Sequence, residues 1–570
     1  MGEFLWHKSY EKGVPTSIEF EEIPIGEYLD RTVKEFGSHT ALVFMNCQLT
    51  YTQLKEEVDR FATALAGLGV VKGTRVAVQA PNIPQCAIAY LAIQRLGAQA
   101  VMTNPLYMPR EIIHQWNDAS VEVAITMDFL WDQKVRAIRD KVGVREYIIA
   151  SIPEYLKFPL NYLAPLKLKR ENPPLVAKVA MEAGVHLFRK LLKSSAATPP
   201  KVHVGMDDIA VIQYTGGTTG LSKGAMLSQR NLSCNVQQVR AWFLGLEPGG
   251  EVLLAVLPFF HIFGLTVCLT WPVTVGAAMV LQPNPRDIPG LIKNITKFKV
   301  TLFPALPALF NAINNFPNVE TLDLSSVKRC FSGSAPLPED VQNRFEKLTN
   351  SIIVEGFGLT ETSPVVTCNP VNGKRKIGHI GVPVANTEVC IVDSDSGLPE
   401  LKIGEVGELI VKGPQVMVGY LNREQETANM IRNGWLYTGD LAVMDQEGYF
   451  RIVGRKKDMI IASGYNIFPD EIDRVLMAHD KIFESCTIGI PDDKRGETVK
   501  SFIVMQPGEV MDEEELRAWC ASELAAYKVP QYWEFRKELP KTAMMKMLRK
   551  DLRDEEIAKQ KAAKQKASDA

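Results

Sequence analysis

Between Tyr214 and Ser228 the chain reads YTGGTTGLSKGAMLS, directly after the apolar run Ala210–Gln213. Gly216, Gly217 and Gly220 let backbone N–H groups turn toward an anion with no Cβ in the way. Thr215, Thr218, Thr219 and Ser222 add hydroxyl donors, and Lys223 adds a point charge. A bare turn would need neither the hydroxyls nor the lysine, so the pattern specifies a phosphate-binding loop. It is not a Walker A loop, which ends in Gly-Lys-Ser/Thr, whereas Ser222-Lys223-Gly224 stands here. A second cluster is Glu355-Gly356-Phe357-Gly358-Leu359-Thr360-Glu361-Thr362. Its glycines would let Phe357 approach a flat ring, and Glu361 offers a hard carboxylate of the kind Mg²⁺ takes. Read alone, the same residues could be a turn closing on a helix cap at Thr360. Thr438-Gly439-Asp440 ends a third cluster, where an aspartate after glycine is ordinarily a turn residue. His261, inside the apolar PFFHIFG run, reads by itself as a satisfied core histidine.

Together these motifs resemble the signatures of the adenylate-forming (AMP-binding) superfamily of acyl-CoA synthetases, luciferases and peptide-synthetase adenylation domains. The likeness is strongest to bacterial long-chain fatty-acid–CoA ligases, in which TGGTTG followed by KGAML is usual. It runs from about Tyr51 to Asp554 in the expected motif order. The resemblance implies that Phe357, between Gly356 and Gly358, stacks on adenine and that Ser334 and Ala335 line the same pocket. It implies that Thr360 contacts the α-phosphate, Glu361 holds magnesium, Asp440 accepts the ribose hydroxyls and Arg455 touches the nucleotide. His261 falls between the substrate carboxylate and the leaving phosphates, with Lys223 among the catalytic cations. Lys457 takes the position about which the two domains of such enzymes rotate, and Ser463-Gly464-Tyr465 the loop lining the pantetheine tunnel. The C-terminal PKTAMMKMLR segment places the catalytic lysine at Lys546, with Met545 where glycine is customary. Gly454 stands where the family often has aspartate before the arginine.

The implied reaction uses ATP, Mg²⁺ and coenzyme A to convert a long-chain fatty acid into an acyl-adenylate and then a thioester. Medium-chain and aryl acids are the alternatives within the superfamily. A P-loop kinase or ATPase would release ADP rather than AMP, and the missing Gly-Lys-Ser/Thr argues against it. A non-catalytic binding protein on this fold would not need Lys223, Glu361, Asp440, Arg455 and Lys546 together. A luciferase-like oxygenation is a further, weaker reading.

Something must hold these groups in place. Short β-branched runs such as Arg75–Gln79, Val121–Thr126 and Lys299–Phe303 alternate with amphipathic stretches such as Tyr51–Leu68. The alternation predicts an α/β fold with layered, largely parallel sheets. Around Glu388–Val411 the pattern changes to strands and tight turns, predicting a small antiparallel or barrel-like subdomain, followed by a small mobile α+β C-terminal domain. The expected division is residues 1–454, a hinge at 455–458, and 459–570 with a polar, repetitive tail. Val252–Leu281 is nearly free of charge and long enough to imitate a membrane span, but Pro258, His261 and Pro272 predict buried strand and helix pieces. Residues 153–200 form a basic stretch with interleaved Leu, Phe and Tyr, readable as an insertion lying on anionic lipid or as a solvated helix pair.

Composition bounds the rest. With 570 residues the chain is too long for one core, and its formal net charge of −2 gives no global reason to expect nucleic acid. Nine scattered cysteines without a C-x-x-C pair argue against a zinc ribbon or disulfide framework and fit a reducing compartment. The first residues lack a basic segment followed by an apolar run, so no secretory signal is expected. The expectation is a cytoplasmic enzyme of small-molecule substrates, with peripheral contact at the inner face of the membrane left open. Oligomeric state is not legible.

Overall fold

The computed structural model describes residues 4–215, 222–463, 465–492, 495–542 and 547–568, with side chains to 562. Two large sheets form its centre. In the nine-stranded sheet, Thr40–Phe44, Ala278–Leu281, Val252–Ala255, Leu302–Ala305, Arg329–Ser332 and Ile352–Gly358 run parallel, with antiparallel strands closing both edges. In the eight-stranded sheet, Val185–Leu187, Glu146–Ala150, Val123–Met127, Arg75–Gln79, Gln99–Met102 and Ile209–Thr215 are parallel. Lys223–Ser228 and Gly419–Tyr420 complete it antiparallel. Parallel strands buried on both faces read as continuous apolar runs rather than alternating ones, as these do.

The helix Pro84–Arg95 shows why the two sheets stay together. Its sequence, PQCAIAYLAIQR, is apolar nearly all round, and every residue but Arg95 is buried. A helix of that composition belongs between layers rather than on a surface. Its buried Gln94 donates to Ala210 O and accepts from Gln229, so the amide is paired in the core. The uncharged stretch 252–281 breaks into a strand, a short helix at Ile262–Gly264, a wide-turned segment Leu265–Thr270 and the helix Trp271–Thr274. Gly264 is required there, because a Cβ would stand 2.2 Å from the carbonyl oxygen of Pro258. No helix among the described residues is long and apolar enough to cross a membrane.

A five-stranded antiparallel sheet follows, built from Glu388–Val392, Gly407–Lys412, Ile431–Arg432, Trp435–Met444 and Phe450–Arg455. The last sheet, from Ile460–Ala462, Tyr465–Ile467, Ile482–Asp492, Gly496–Met505 and Tyr532–Phe535, belongs to a smaller C-terminal domain. Its two apolar clusters draw only on residues from Ile460 to Leu552, so it has cores of its own. The basic segment 153–200 divides. Val185–Leu187 extends the eight-stranded sheet, and Phe188 is fully buried with its ring centroid 4.3 Å from that of Phe61. The helix Leu160–Leu168, by contrast, buries none of its residues.

Inside the C-terminal domain Arg549 ties three elements. Its guanidinium pairs with Asp470 and, at 2.6 Å, with Asp473, and its Nε donates to Thr487 O at 3.2 Å. Burial raises the Asp473 carboxyl above the usual carboxylate range, and the Arg549 guanidinium limits that shift without cancelling it. Arg549→Met strands a buried carboxylate and should cost about 3–5 kcal/mol, the range for breaking a buried pair from one side. Urea unfolding followed by proteolysis of the C-terminal domain measures it; unchanged resistance would mean the pair contributes nothing.

Candidate active site

A cavity of about 970 Å³ opens where the strands of both large sheets end, and the antiparallel sheet and the C-terminal domain complete its wall. Three strand ends supply most of the polar lining. Ile209–Thr215 delivers Thr215, Arg329–Ser332 leads into Gly333 and Ser334, and Ile352–Gly358 carries Gly356, Phe357 and Gly358 before Leu359, Thr360 and Glu361. Ser334 holds a left-handed φ of +71°, a conformation uncommon for a residue with a side chain and one that gathers at functional sites. Gly358 packs so closely that a Cβ would lie 2.0 Å from Pro364 O. His261 caps the short helix that follows it, its Nδ1 accepting from the Phe263 N–H at 3.3 Å, and it faces the same cavity.

Lys223 enters from the next strand. It pairs with Glu426 and lies 5.4 Å from the centre of the Tyr420 ring. The Tyr420 hydroxyl donates to Glu361 Oε1 at 2.5 Å, and burial followed by the nearby Glu361 charge raises the phenol pKa. A chain of local choices positions Tyr420. Ser228 and Asn231 form a reciprocal cap at the start of the helix Gln229–Trp242, at 3.1 and 2.9 Å. The Asn231 amide then donates to Pro414 O and Val416 O, both at 2.8 Å, which holds the segment leading to Gly419–Tyr420 against Lys223–Ser228.

Asp440 and Arg455 are cross-strand neighbours, and their side chains meet at 2.6 Å. Arg455 lines the cavity, while Asp440 stands behind it with 2% exposure. Lys457 also lines it, and burial, then the charge of Arg455, lowers its pKa. Lys541 and Thr542 reach the cavity from the C-terminal domain, and Lys541 bridges to Met547. Lys546 and Met545 lie outside the described residues, as do Gly216, Gly217, Thr218, Thr219, Gly220 and Gly464.

Away from this polar end the wall is apolar. Val239, Trp242, Phe243, Val267, Phe331 and Val384 line it, with Phe243 and Phe331 ring centroids 4.1 Å apart. The Trp242 indole is pinned by a 3.1 Å bond to Asn369 O.

The structure thus brings Thr215, Lys223, His261, Ser334, Gly356, Phe357, Gly358, Thr360, Glu361, Arg455 and Lys457 to one cavity, with Asp440 behind Arg455. Ala335 adjoins Ser334 without lining it. Ser463 and Tyr465 do not line it, and Tyr465 stacks on Tyr527 on the surface of the C-terminal domain, centroids 4.5 Å apart. Tyr420, Glu426 and His114 belong to none of the sequence motifs, whereas Lys541 lies in the PKTAMMKMLR segment. Tyr420, Glu426 and His114 are each brought in by a partner far along the chain, as His114 is by its 3.0 Å bond to Ser222 O, and no local motif marks these three.

Two family models match the chain: AMP-binding enzyme over residues 29–421, and AMP-binding enzyme C-terminal domain over residues 471–546. The protein belongs to the AMP-binding enzyme family. Among its relatives, the long-chain-fatty-acid–CoA ligase of Bacillus subtilis (strain 168) is 42% identical over 555 residues, 97% of this chain and 98% of that one. The crystal structure of the anthranilate CoA ligase AuaEII in complex with anthranoyl-AMP superposes with a TM-score of 0.85 at 26% identity, over 95% of this chain and 98% of that one. ATP-bound MatB from Rhodopseudomonas palustris gives 0.82 at 27% identity, over 94% and 99%.

Glu355 sits one residue before the Gly-Phe-Gly run, fully enclosed. Its Oε1 accepts from the Leu337 N–H at 3.2 Å, and Oε2 has no partner among the described residues. Burial pushes its pKa up to about 8. A carboxyl held protonated by the fold stabilises it fully at low pH. That contribution is lost as pH rises from the unfolded value of about 4.5 through about 8. Glu355→Gln removes the titration, so the stability difference between variant and parent should move in favour of the variant between pH 5 and pH 8. Denaturant melts across that range test it; a pH-independent difference would place the charge elsewhere.

Proposed function

We propose that this protein activates a long-chain fatty acid with ATP, forming an acyl-adenylate and pyrophosphate, and then transfers the acyl group to coenzyme A. The observation that carries the reading is the division of one cavity into a polar end, with Lys223, Glu361 and Arg455, and an apolar wall of aromatic and branched side chains. A carboxylate bound at the junction would have its tail in the apolar part and its oxygens toward the phosphates. The name of the Bacillus subtilis relative points to the same substrate class.

A carboxylate is a poor acyl donor because its oxygen leaves badly. One carboxylate oxygen attacks the α-phosphorus, the bond to the β-phosphate oxygen breaks, and pyrophosphate departs with that electron pair. The product is a mixed anhydride whose leaving group is AMP. The coenzyme A thiol then gives up its proton, its sulfur bonds to the acyl carbon, and AMP leaves. Positioning and charge stabilisation supply most of such catalysis.

In this reading Thr215, Gly216, Gly217, Thr218, Thr219 and Gly220 surround the phosphates and Lys223 exchanges Glu426 for them. Thr360 approaches the α-phosphate, and His261 sits between it and the carboxylate. Phe357, flanked by Gly356 and Gly358, packs on the adenine with Ser334 and Ala335. Asp440 takes the ribose hydroxyls and Arg455, its partner, the nucleotide. The donor set suits Mg²⁺, since Glu361 offers hard carboxylate oxygen at the polar end. Glu361 and the phosphates would hold the ion, which would offset the phosphate charge.

Lys546 is assigned the bridge between carboxylate and α-phosphate, and Lys541 and Thr542, just ahead of it, already face the cavity. Residues 1–454 then form the nucleotide- and acyl-binding part, and 459–570 the C-terminal domain. Residues 455–458 are the hinge, with Lys457 the pivot. Rotation about it would withdraw Lys546 and bring Ser463, Gly464 and Tyr465 toward the incoming pantetheine.

Lys546→Ala should lower acyl-adenylate formation by roughly 10²-fold or more while leaving thioester formation from supplied acyl-adenylate close to that of the parent. Equal losses in both half-reactions would refute the assignment. A panel of acids scored by AMP release should rank palmitate and oleate above octanoate, benzoate and acetate. A maximum at an aryl acid would move the substrate class and leave the reaction intact.

A further inference from the structure

We propose that Arg423 receives the Glu426 carboxylate when a nucleoside triphosphate draws Lys223 away, which makes Arg423 a positioning residue for the phosphate end of the cavity. The inference rests on the reading that Lys223 exchanges Glu426 for the phosphates.

Glu426 lies between two cations. Its Oε2 pairs with Lys223, and its Oε1 stands 3.7 Å from Arg423 Nε. The second contact is too long for a hydrogen bond, so in this structure the carboxylate belongs to Lys223. Arg423 caps the short helix Glu424–Met430, and Glu426 lies three residues after it, on the same side of the first turn. Residues at that spacing face each other, and small side-chain rotations close the gap. Thr427 fixes the turn: its N–H and its hydroxyl both donate to Arg423 O at 2.9 Å, and the hydroxyl accepts from the Tyr420 N–H at 2.8 Å.

The far side of Arg423 is anchored. Its Nη2 donates to Asp118 Oδ1 at 3.2 Å, while the Tyr214 hydroxyl donates to Asp118 Oδ2 at 2.7 Å. The Asp118 carbonyl accepts from Asn422 Nδ2 at 3.0 Å. Asp118, at the end of the helix Pro109–Asp118, therefore ties the residue just before Thr215 to the segment that carries the receiver. A guanidinium can serve two carboxylates at once, because its five N–H donors spread over a rigid plane. Asp118 uses one edge of it, and Nε faces Glu426.

The exchange needs such a receiver. Once Lys223 turns to a polyanion, Glu426 without a partner would be a carboxylate set beside incoming phosphates, and the repulsion would weaken binding. Moving onto Arg423 keeps Glu426 paired. Lys223 can then leave without stranding a charge.

Titration calorimetry of the full-length protein with ATP and Mg²⁺, in the absence of any acid, reads the exchange as a Kd. Arg423→Gln should raise the ATP Kd about fivefold, the upper end for an ion pair this exposed to water, and leave adenosine binding unchanged. In a Glu426→Gln background the same change should move the ATP Kd less than about twofold, since no carboxylate is left to receive. An unchanged Kd in the single variant would overturn the proposal. So would equal weakening in both backgrounds, or weakening that extends to adenosine, either of which would make Arg423 a support of the fold alone. A crystal structure of the parent protein with ATP decides the point without a variant. Glu426 should lie within hydrogen-bond distance of Arg423 with Lys223 on the phosphates, and a Glu426 still paired with Lys223 would overturn the exchange. A parent that binds no ATP would refute both this inference and the reading it rests on. Should the parent bind ATP yet release no AMP with any fatty acid, the acyl-activation reading fails, and the same titrations still decide the role of Arg423.

Discussion

One buried amide holds the two large sheets in register at the site. Asn82, at the end of the loop after Arg75–Gln79, donates from Nδ2 to Ala255 O and Leu257 O at 2.9 and 2.8 Å and accepts from the Phe259 N–H at 2.9 Å. An amide with its donors and acceptor satisfied in a low-dielectric interior is directional in a way that apolar contact is not. It locks the segment that carries His261 to the neighbouring sheet, and Gln213 repeats the tie with a 2.6 Å bond to Phe260 O. The cavity exists because strand ends from both sheets are held facing each other.

Within that frame the polar groups of the site are already paired. Lys223 meets Glu426, Glu361 meets Tyr420, and Arg455 meets Asp440. Unpaired charges at partly buried positions would be costly, and each internal partner removes that cost while keeping the side chain aimed at the cavity. A polyanion entering the site would therefore exchange partners rather than order a loose set of cations, a form of electrostatic preorganisation. The exchange is weakest in cost where the pair is most exposed to water, at Lys223 and Glu426.

The C-terminal domain contributes differently. Its cores are self-contained, and it touches the cavity through Lys541 and Thr542. A domain with its own core can change its position without unfolding, which is the physical condition for a two-step reaction run from one cavity.

The motifs were legible as candidates because the residues that compose each of them are neighbours in the chain. In the glycine- and hydroxyl-rich loop after an apolar strand, in Gly-Phe-Gly before Thr360 and Glu361, and in Thr-Gly-Asp, the residue types that suggest a chemistry stand side by side in the chain. The sheet layering was legible for the same reason, since period and burial of strands such as Arg75–Gln79 are written in adjacent residues. The basic stretch 153–200 shows where local reading stops. Its composition reads as one amphipathic insertion, yet tertiary packing takes Val185 and Phe188 into the core and leaves Leu160–Leu168 with apolar side chains in water. Tyr420 and Glu426 were likewise invisible, because what makes them part of the site is a pairing of Gly419–Tyr420 with a strand nearly two hundred residues earlier. The sequence by itself determined which groups could bind a nucleotide and in what kind of fold. Only the tertiary structure decided which of them share a cavity and with which counter-charges, since those depend on contacts between residues that no local pattern connects.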